Sequence, residues 1–227
     1  MADKVDFDQY TENYNALLHD STKFFASNET YFARYKIDIV RKHVTKPIKN
    51  MYEFGCGIGR NIPFLKAAFP QAIIVGSDIS EASLDVARKE NPDIVFFETV
   101  DAIEEGKTFD LIFVAGVYHH IPPDERGAVT QSLFERLSVG GNLFVFEHNP
   151  YNPVTRKIVD ECPYDEDAVL LKPAELKDHL ETAGFNVLQK SYCLFVPAKF
   201  SVLAFIENWL GWFPLGGQYW IQAQRRR

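Results

Sequence analysis

Apolar positions in the first 45 residues recur at helical spacing: Phe7, Tyr10, Tyr14 and Leu17, then Phe32, Tyr35 and Ile39. No strand pattern precedes position 50, so this stretch predicts helices that cap whatever follows. From residue 50 the pattern alternates. Short apolar runs at 51–54, 72–75, 94–97, 111–114 and 143–146 read as strands buried on both faces. Between them lie helical periodicities. Ile62, Leu65 and Phe69 mark one helix face, and Leu84 and Ala87 another, behind Ser80 as N-cap and Glu81 in the first turn. Val129, Leu133 and Leu137 follow Pro122-Pro123, taken as a helix start. Leu176 and Leu180 follow Pro173, with Gly184 as C-cap. Strands alternating with helices predict βαβ units and a doubly wound, mostly parallel α/β sheet. Such sheets bind ligands at the carboxyl ends of their strands, here just after residues 54, 77, 98, 114 and 147.

The first of those points carries Glu53-Phe54-Gly55-Cys56-Gly57-Ile58-Gly59-Arg60-Asn61. Glycines at alternate positions let the chain turn sharply and approach a ligand closely. The helix that follows aims free N–H groups and its positive dipole at the same place, which suits an anion. A dinucleotide fingerprint would put its third glycine where Arg60 stands, and a Walker phosphate loop would end in Gly-Lys-Ser/Thr, which is absent. Asp78 closes the second strand, where a carboxylate accepts both hydroxyls of a ribose that bears no 2′-phosphate. Asp101 follows the third strand, where an acid can accept from the amino group of adenine.

The run 53–59 resembles the first motif of the class I S-adenosylmethionine-dependent methyltransferases. Ser77-Asp78-Ile79-Ser80 resembles their second motif. Phe109-Asp110-Leu111-Ile112-Phe113 with Tyr118-His119-His120-Ile121 is similar to their fourth-strand motif, and 137–143 to the loop into their fifth strand. The resemblance spans about residues 50–190 and is not specific to any acceptor. It implies a seven-stranded, Rossmann-like sheet with the last strand antiparallel, residues 185–195 and 218–222 supplying the final two. It also implies S-adenosylmethionine as cofactor and S-adenosylhomocysteine as product. The methionine carboxylate would face the loop of Gly55, Cys56, Gly57 and Gly59, with Glu53 near the ammonium end. Asp78 and Ile79 would flank the ribose, Asp101 and Ala102 the adenine, and backbone at Ala115-Gly116 the methionine amino group. Tyr14 would close over the cofactor, its alternative being a core aromatic.

Methyl transfer from a sulfonium is an in-line displacement with a good neutral leaving group, so alignment supplies most of the catalysis. A general base matters only for an acceptor that arrives protonated. His119 and His120, just past the fourth strand, are the candidates, each alternatively a packed loop residue. Glu147 and His148 end the fifth strand and could reach substrate, the alternative for Glu147 being a bond to the loop backbone. Arg60 could meet an acidic substrate group or simply face solvent. No metal is expected: adjacent histidines on a strand point apart, and no H-x-x-x-H or C-x-x-C pair exists. Cys56 reads as a small filler.

Composition narrows the partners. The 227 residues, with 46% hydrophobic and 24% charged, predict one globular domain. We divide it into a helical cap at 1–45, a cofactor-binding core at 46–192, and an aromatic-rich insertion with the last strand at 193–227. A net charge of −7 argues against a polyanion, and the terminal arginines 225–227 read as a solvated tail, so no nucleic acid is expected. The motif for methylating DNA amino groups is absent after the fourth strand, which reads Ala115-Gly116-Val117-Tyr118, and so is the cytosine Pro-Cys. Three widely spaced cysteines and a polar N-terminus suit a reducing, cytoplasmic setting. Aromatics gather near the end: Phe195, Phe200, Phe205, Trp209, Trp212, Phe213, Tyr219 and Trp220. Val202, Phe205, Ile206, Trp209 and Leu210 predict an amphipathic helix too short to span a bilayer. It can be ordinary core, a lid that favours a hydrophobic or lipid-linked acceptor, or a surface for a membrane or partner. The expected function is methyl transfer to a small-molecule or lipid-like acceptor. The alternatives are a nicotinamide-dependent oxidoreductase and a non-catalytic S-adenosylmethionine-binding module.

Overall fold

The structure, a computed structural model, describes residues 30–197 and 205–226, without the side chains of Asp101 and Asn208. Tyr14 and the first half of the aromatic insertion, with Phe200 and Val202, therefore lie outside the described residues. The strands are β1 (Asn50–Phe54), β2 (Ile73–Ser77), β3 (Val95–Phe97), β4 (Phe109–Ala115), β5 (Leu137–His148), β6 (Phe185–Cys193) and β7 (Gln218–Arg225). The helices are α1 (Thr30–His43), α2 (Ile62–Ala68), α3 (Glu81–Glu90), α4 (Arg126–Arg136), α5 (Pro153–Glu161), α6 (Pro173–Thr182) and the single turn α7 (Glu207–Leu210).

All seven strands form one sheet in the order β3-β2-β1-β4-β5-β7-β6. The first five run parallel, and β7 is antiparallel to both β5 and β6. The last strand thus takes the orientation that the sequence resemblance implies.

Alternation along the central strands splits the core into two layers. Met51, Leu111, Phe113, Phe144 and Phe146 face Ile37 and Val40 of α1, Ile62 and Leu65 of α2, and Leu84 and Ala87 of α3. Tyr52, Ile112, Val114, Leu143 and Val145 face the other way, onto Leu133 of α4 and Leu176 and Leu180 of α6. The continuous apolar run of β4 reflects this double burial.

Local signals hold where they were strong. Ser80 accepts from Ser83 N at 3.1 Å and caps α3. The Pro122-Pro123 start does not hold: these residues form a turn, α4 begins at Arg126, and Leu137 already belongs to β5. The sequence reading also missed α5, capped by Asn152, whose side chain accepts from Val154 N and Thr155 N.

The chain leaves β1 for β2 and β3 on one side and returns with β4 on the other. This reversal opens a crevice above the carboxyl ends of β1 and β4.

Candidate active site

A cleft of about 640 Å³ occupies that crevice. Its first half is built by the glycine loop. Gly55, Gly57 and Gly59 have φ of +69°, +50° and +75°, a region that L side chains enter at a cost of roughly 1–2 kcal/mol. A Cβ on Gly55 would run into the Val117 side chain, so that glycine is needed for packing. A Cβ on Gly57 would meet nothing within 4 Å and would project into open space. Gly57 N donates to Asp78 Oδ2 at 2.7 Å, and Asp78 Oδ1 accepts from Ser80 N at 3.0 Å. Burial nonetheless keeps the Asp78 carboxyl above its ordinary value, against those bonds. Cys56 is a buried, free cysteine whose thiol burial pushes up, which suits a filler and not a nucleophile.

Glu53 lies beneath the cleft floor and does not line it. Its Oε1 accepts from Asn61 Nδ2 at 2.7 Å, while buried Oε2 has no partner. Burial raises this carboxyl to about 8. Asn61, Lys36 and Arg60 all line the cleft, the first two unforeseen from sequence. Burial lowers the Lys36 ammonium to about 8, and it lies within electrostatic reach of Cys193, Glu147, Arg60 and Glu53.

Beyond Asp78, Ile79, Glu98, Thr99 and Val100 form the wall. Ala102 is exposed and does not line the cleft, and the side chain of Asp101 lies outside the described residues. Ala115 and Gly116 line the cleft as expected.

The second half gathers around a 3₁₀ turn, Tyr118–His120. The expectation that the two histidines point apart fails here, because they lie on a turn and not on a strand. Their rings stand 4.2 Å apart. His119 is buried, and its Nδ1 donates to Glu147 Oε2 at 2.6 Å. Glu147 Oε1 accepts from Val117 N and Tyr118 N at 2.9 and 2.8 Å. Asp165, unforeseen from sequence, approaches from a second 3₁₀ turn, Pro163–Asp165. Its Oδ1 is 3.6 Å from His119 Nε2 and 3.4 Å from His120 Nε2. His120 Nδ1 lies 3.1 Å from Asp167 Oδ1. The segment is tied down by Val169 N donating to His119 O at 2.8 Å, and by Arg126 Nη2 donating to Val169 O at 2.6 Å.

Burial alone would lower the His119 imidazole, but Glu147 and Asp165 outweigh it and hold it at about 9. Asp165 is correspondingly well below the usual carboxylate range despite its burial. His148, whose ring is 4.9 Å from that of His119, is lowered to about 4 by burial and by the neighbouring His119 charge. His119, His120, His148 and Asp165 line the cleft, together with Thr155, Tyr164 and Gln218. Glu147 stands behind His119 and does not line it.

None of the described residues of the aromatic insertion from Phe205 to Phe213 lines the cleft. Glu207 ties it to the fold by accepting from Tyr35 Oη and from Phe195 N and Val196 N. Trp209 and Trp212 are 73% and 76% exposed, which rules out ordinary core for these side chains. No described helix is long and apolar enough to cross a membrane.

These features fit S-adenosylmethionine. The open face of Gly57 leaves room for a ligand against the loop, the unpartnered Glu53 oxygen offers a buried acceptor near an ammonium, and Asp78 stands at the ribose position.

Comparison with known proteins agrees. Residues 52–143 match the family described as methyltransferase domain. A trans-aconitate 2-methyltransferase from Deinococcus radiodurans is 32% identical over 100 residues, 44% of this chain and 38% of that protein. Another, from an Azoarcus species, is 26% identical over 140 residues, 61% of this chain and 53% of that protein. The chain thus spans about half or less of the length of these curated relatives. A solved SAM-dependent methyltransferase from Thermotoga maritima superposes with a TM-score of 0.68 at 17% identity, covering 97% of this chain and 98% of its own. By strand order, glycine loop and the domain match over residues 52–143, the chain is similar to the class I S-adenosylmethionine-dependent methyltransferases.

Proposed function

We propose that the protein transfers a methyl group from S-adenosylmethionine to a small, polar acceptor that carries a carboxylate. The observation that carries this reading is a cleft that runs unbroken from the Gly57–Asp78 cradle to the His119–Asp165 corner. Bound cofactor supplies an electrophilic methyl group, and the chain's own residues supply everything else. Gly57 and Asp78 hold the cofactor half, and Lys36 and Arg60 place positive charge along the cleft. The far half offers the polar side chains of His120, His148, Tyr164, Thr155 and Gln218 beside apolar Ile121, Ile158 and Leu194, so a hydrophilic acceptor finds polar partners there. The relatives named for trans-aconitate, a carboxylic acid, support the same class.

A carboxylate nucleophile arrives deprotonated, so alignment suffices and no base is required. His119, held between Glu147 and Asp165, fixes the shape of the corner that the acceptor meets. For a hydroxyl acceptor the proton would pass to His148, which is neutral at pH 7. The apolar-acceptor alternative is favoured by the apolar part of the cleft lining, which includes Ile121, Val129, Ile158 and Leu194.

The test is a panel of small mono-, di- and tricarboxylic acids and of neutral lipidic alcohols, with S-adenosylhomocysteine release as readout. Turnover concentrated among the acids supports the proposal. Turnover with the lipidic acceptors alone overturns the acceptor class. Tight cofactor binding without turnover on any acceptor makes the protein a binding module.

A further inference from the structure

We propose that His119, His120 and Asp165 form a mononuclear site for a divalent transition-metal ion, with Zn²⁺ as the representative ion, at the far end of the cleft. The three candidate ligand atoms all lie within 4.8 Å of one another. Both Nε2 atoms converge on the same oxygen, Asp165 Oδ1, at 3.6 and 3.4 Å. Ligands bound at about 2.0–2.2 Å to one ion stand roughly 3–3.5 Å apart, so both histidine–Asp165 pairs already stand near that spacing.

The outer partners make the stronger case. A metal-bound histidine usually donates its other ring N–H to a carboxylate, which fixes the tautomer and leaves a lone pair for the ion. Both histidines have this arrangement. His119 Nδ1 is 2.6 Å from Glu147 Oε2, and His120 Nδ1 is 3.1 Å from Asp167 Oδ1. Glu147 is itself fixed by the backbone N–H groups of Val117 and Tyr118. Two separate carboxylates thus turn two adjacent histidines toward a third.

Charge points the same way. With both imidazoles neutral, Glu147, Asp165 and Asp167 carry three negative charges in one largely buried corner, and a divalent cation offsets most of them. Two histidines and one carboxylate suit borderline ions such as Zn²⁺, Fe²⁺ and Co²⁺, and three protein ligands leave positions open. All three ligands line the cleft, so those positions face the space assigned to the acceptor. The ion would there take up acceptor oxygens. The site itself does not rest on the methyl-transfer reading, because metal is counted without cofactor or acceptor.

The test titrates chelator-treated protein with Co²⁺, following its visible absorption, and counts Zn²⁺ by elemental analysis after gel filtration. One ion per chain is expected, without the strong thiolate charge-transfer band of cysteine ligation. Asp165→Asn and His120→Ala should each weaken binding by about 100-fold or more, and Glu147→Gln by about 10–100-fold. Asp85→Asn, an exposed acid on α3, should leave it unchanged. Circular dichroism checks that each variant is folded. His119 is too deeply buried for its own variant to be the sole test, so Asp165→Asn and His120→Ala decide. The proposal is overturned if no stoichiometric ion binds, if Asp165→Asn and His120→Ala bind as the parent does, or if the spectrum reports thiolate ligands.

Discussion

Gly57→Val separates the cofactor cradle from the fold that carries it. Gly57 has φ of +50°, and an added Cβ meets nothing within 4 Å. The fold should therefore lose only the backbone penalty of a left-handed residue, roughly 1–2 kcal/mol, with a β-branched residue toward the upper end. For a chain of this size each kcal/mol lowers Tm by about 2–4 °C, so the fall should be about 2–8 °C. The branched side chain projects into the space assigned to the cofactor, so S-adenosylhomocysteine affinity should drop by about 100-fold or more, equivalent to about 2.7 kcal/mol. Gly55→Val is the contrast, because its side chain would collide with Val117 and should damage the fold itself. Calorimetric titration with S-adenosylhomocysteine and thermal melting, on the same samples, read the two quantities separately. A Gly57→Val variant that binds the product with parental affinity would refute the placement of the cofactor against this loop.

Asp78→Ala should weaken cofactor binding by about 10- to 150-fold per ribose bond lost, since charge-assisted bonds contribute about 1.5–3 kcal/mol; unchanged affinity in the same titration would remove Asp78 from the site. Stability of the metal-free protein should fall as pH rises from about 6.5 to 8. His119 is raised from 6.5 to about 9, so its contribution, about 3 kcal/mol, is complete below 6.5 and lost through 9. Glu53, raised to about 8, changes stability in the same direction from pH 4.5 upward, and Lys36, lowered to about 8, opposes it only above that pH; a Tm that is flat or rising across pH 6.5–8 contradicts the buried ion pair. Replacing both Phe205 and Trp209 with Ala should change Tm by less than about 3 °C, because both are mostly exposed; a large fall in a melting scan would show that they pack.

The core was legible because its signals are local. The apolar run of β4 announces burial on both faces, and the glycine loop with Asp78 lies within one βαβ unit. α5 was missed, although the cap-and-proline pair Asn152-Pro153 marks its start, because at nine residues it has too few turns to declare a helical period. The far half of the cleft was not legible. Asp165 reaches His119 only because Val169 and Arg126 pin its segment, and Lys36 enters from a helix before the first strand. Those placements depend on long-range packing that no local pattern encodes. The two histidines misled for a related reason. The i, i+1 rule holds on a strand, but β4 ends at Ala115 and the pair sits on a 3₁₀ turn. The aromatic insertion showed helical spacing over 202–210, yet its described part is a single turn held by Glu207, with its tryptophans turned outward.

A crystal structure of the protein soaked with S-adenosylhomocysteine tests the central claim most directly. The account predicts density in the cleft, with the amino-acid end against Gly57, the ribose hydroxyls on Asp78 in place of part of its bond to Gly57 N, and the sulfur facing Ala115 and Gly116 toward the His119–Asp165 corner. Density elsewhere on the molecule, or an empty cleft at saturating ligand, would contradict it.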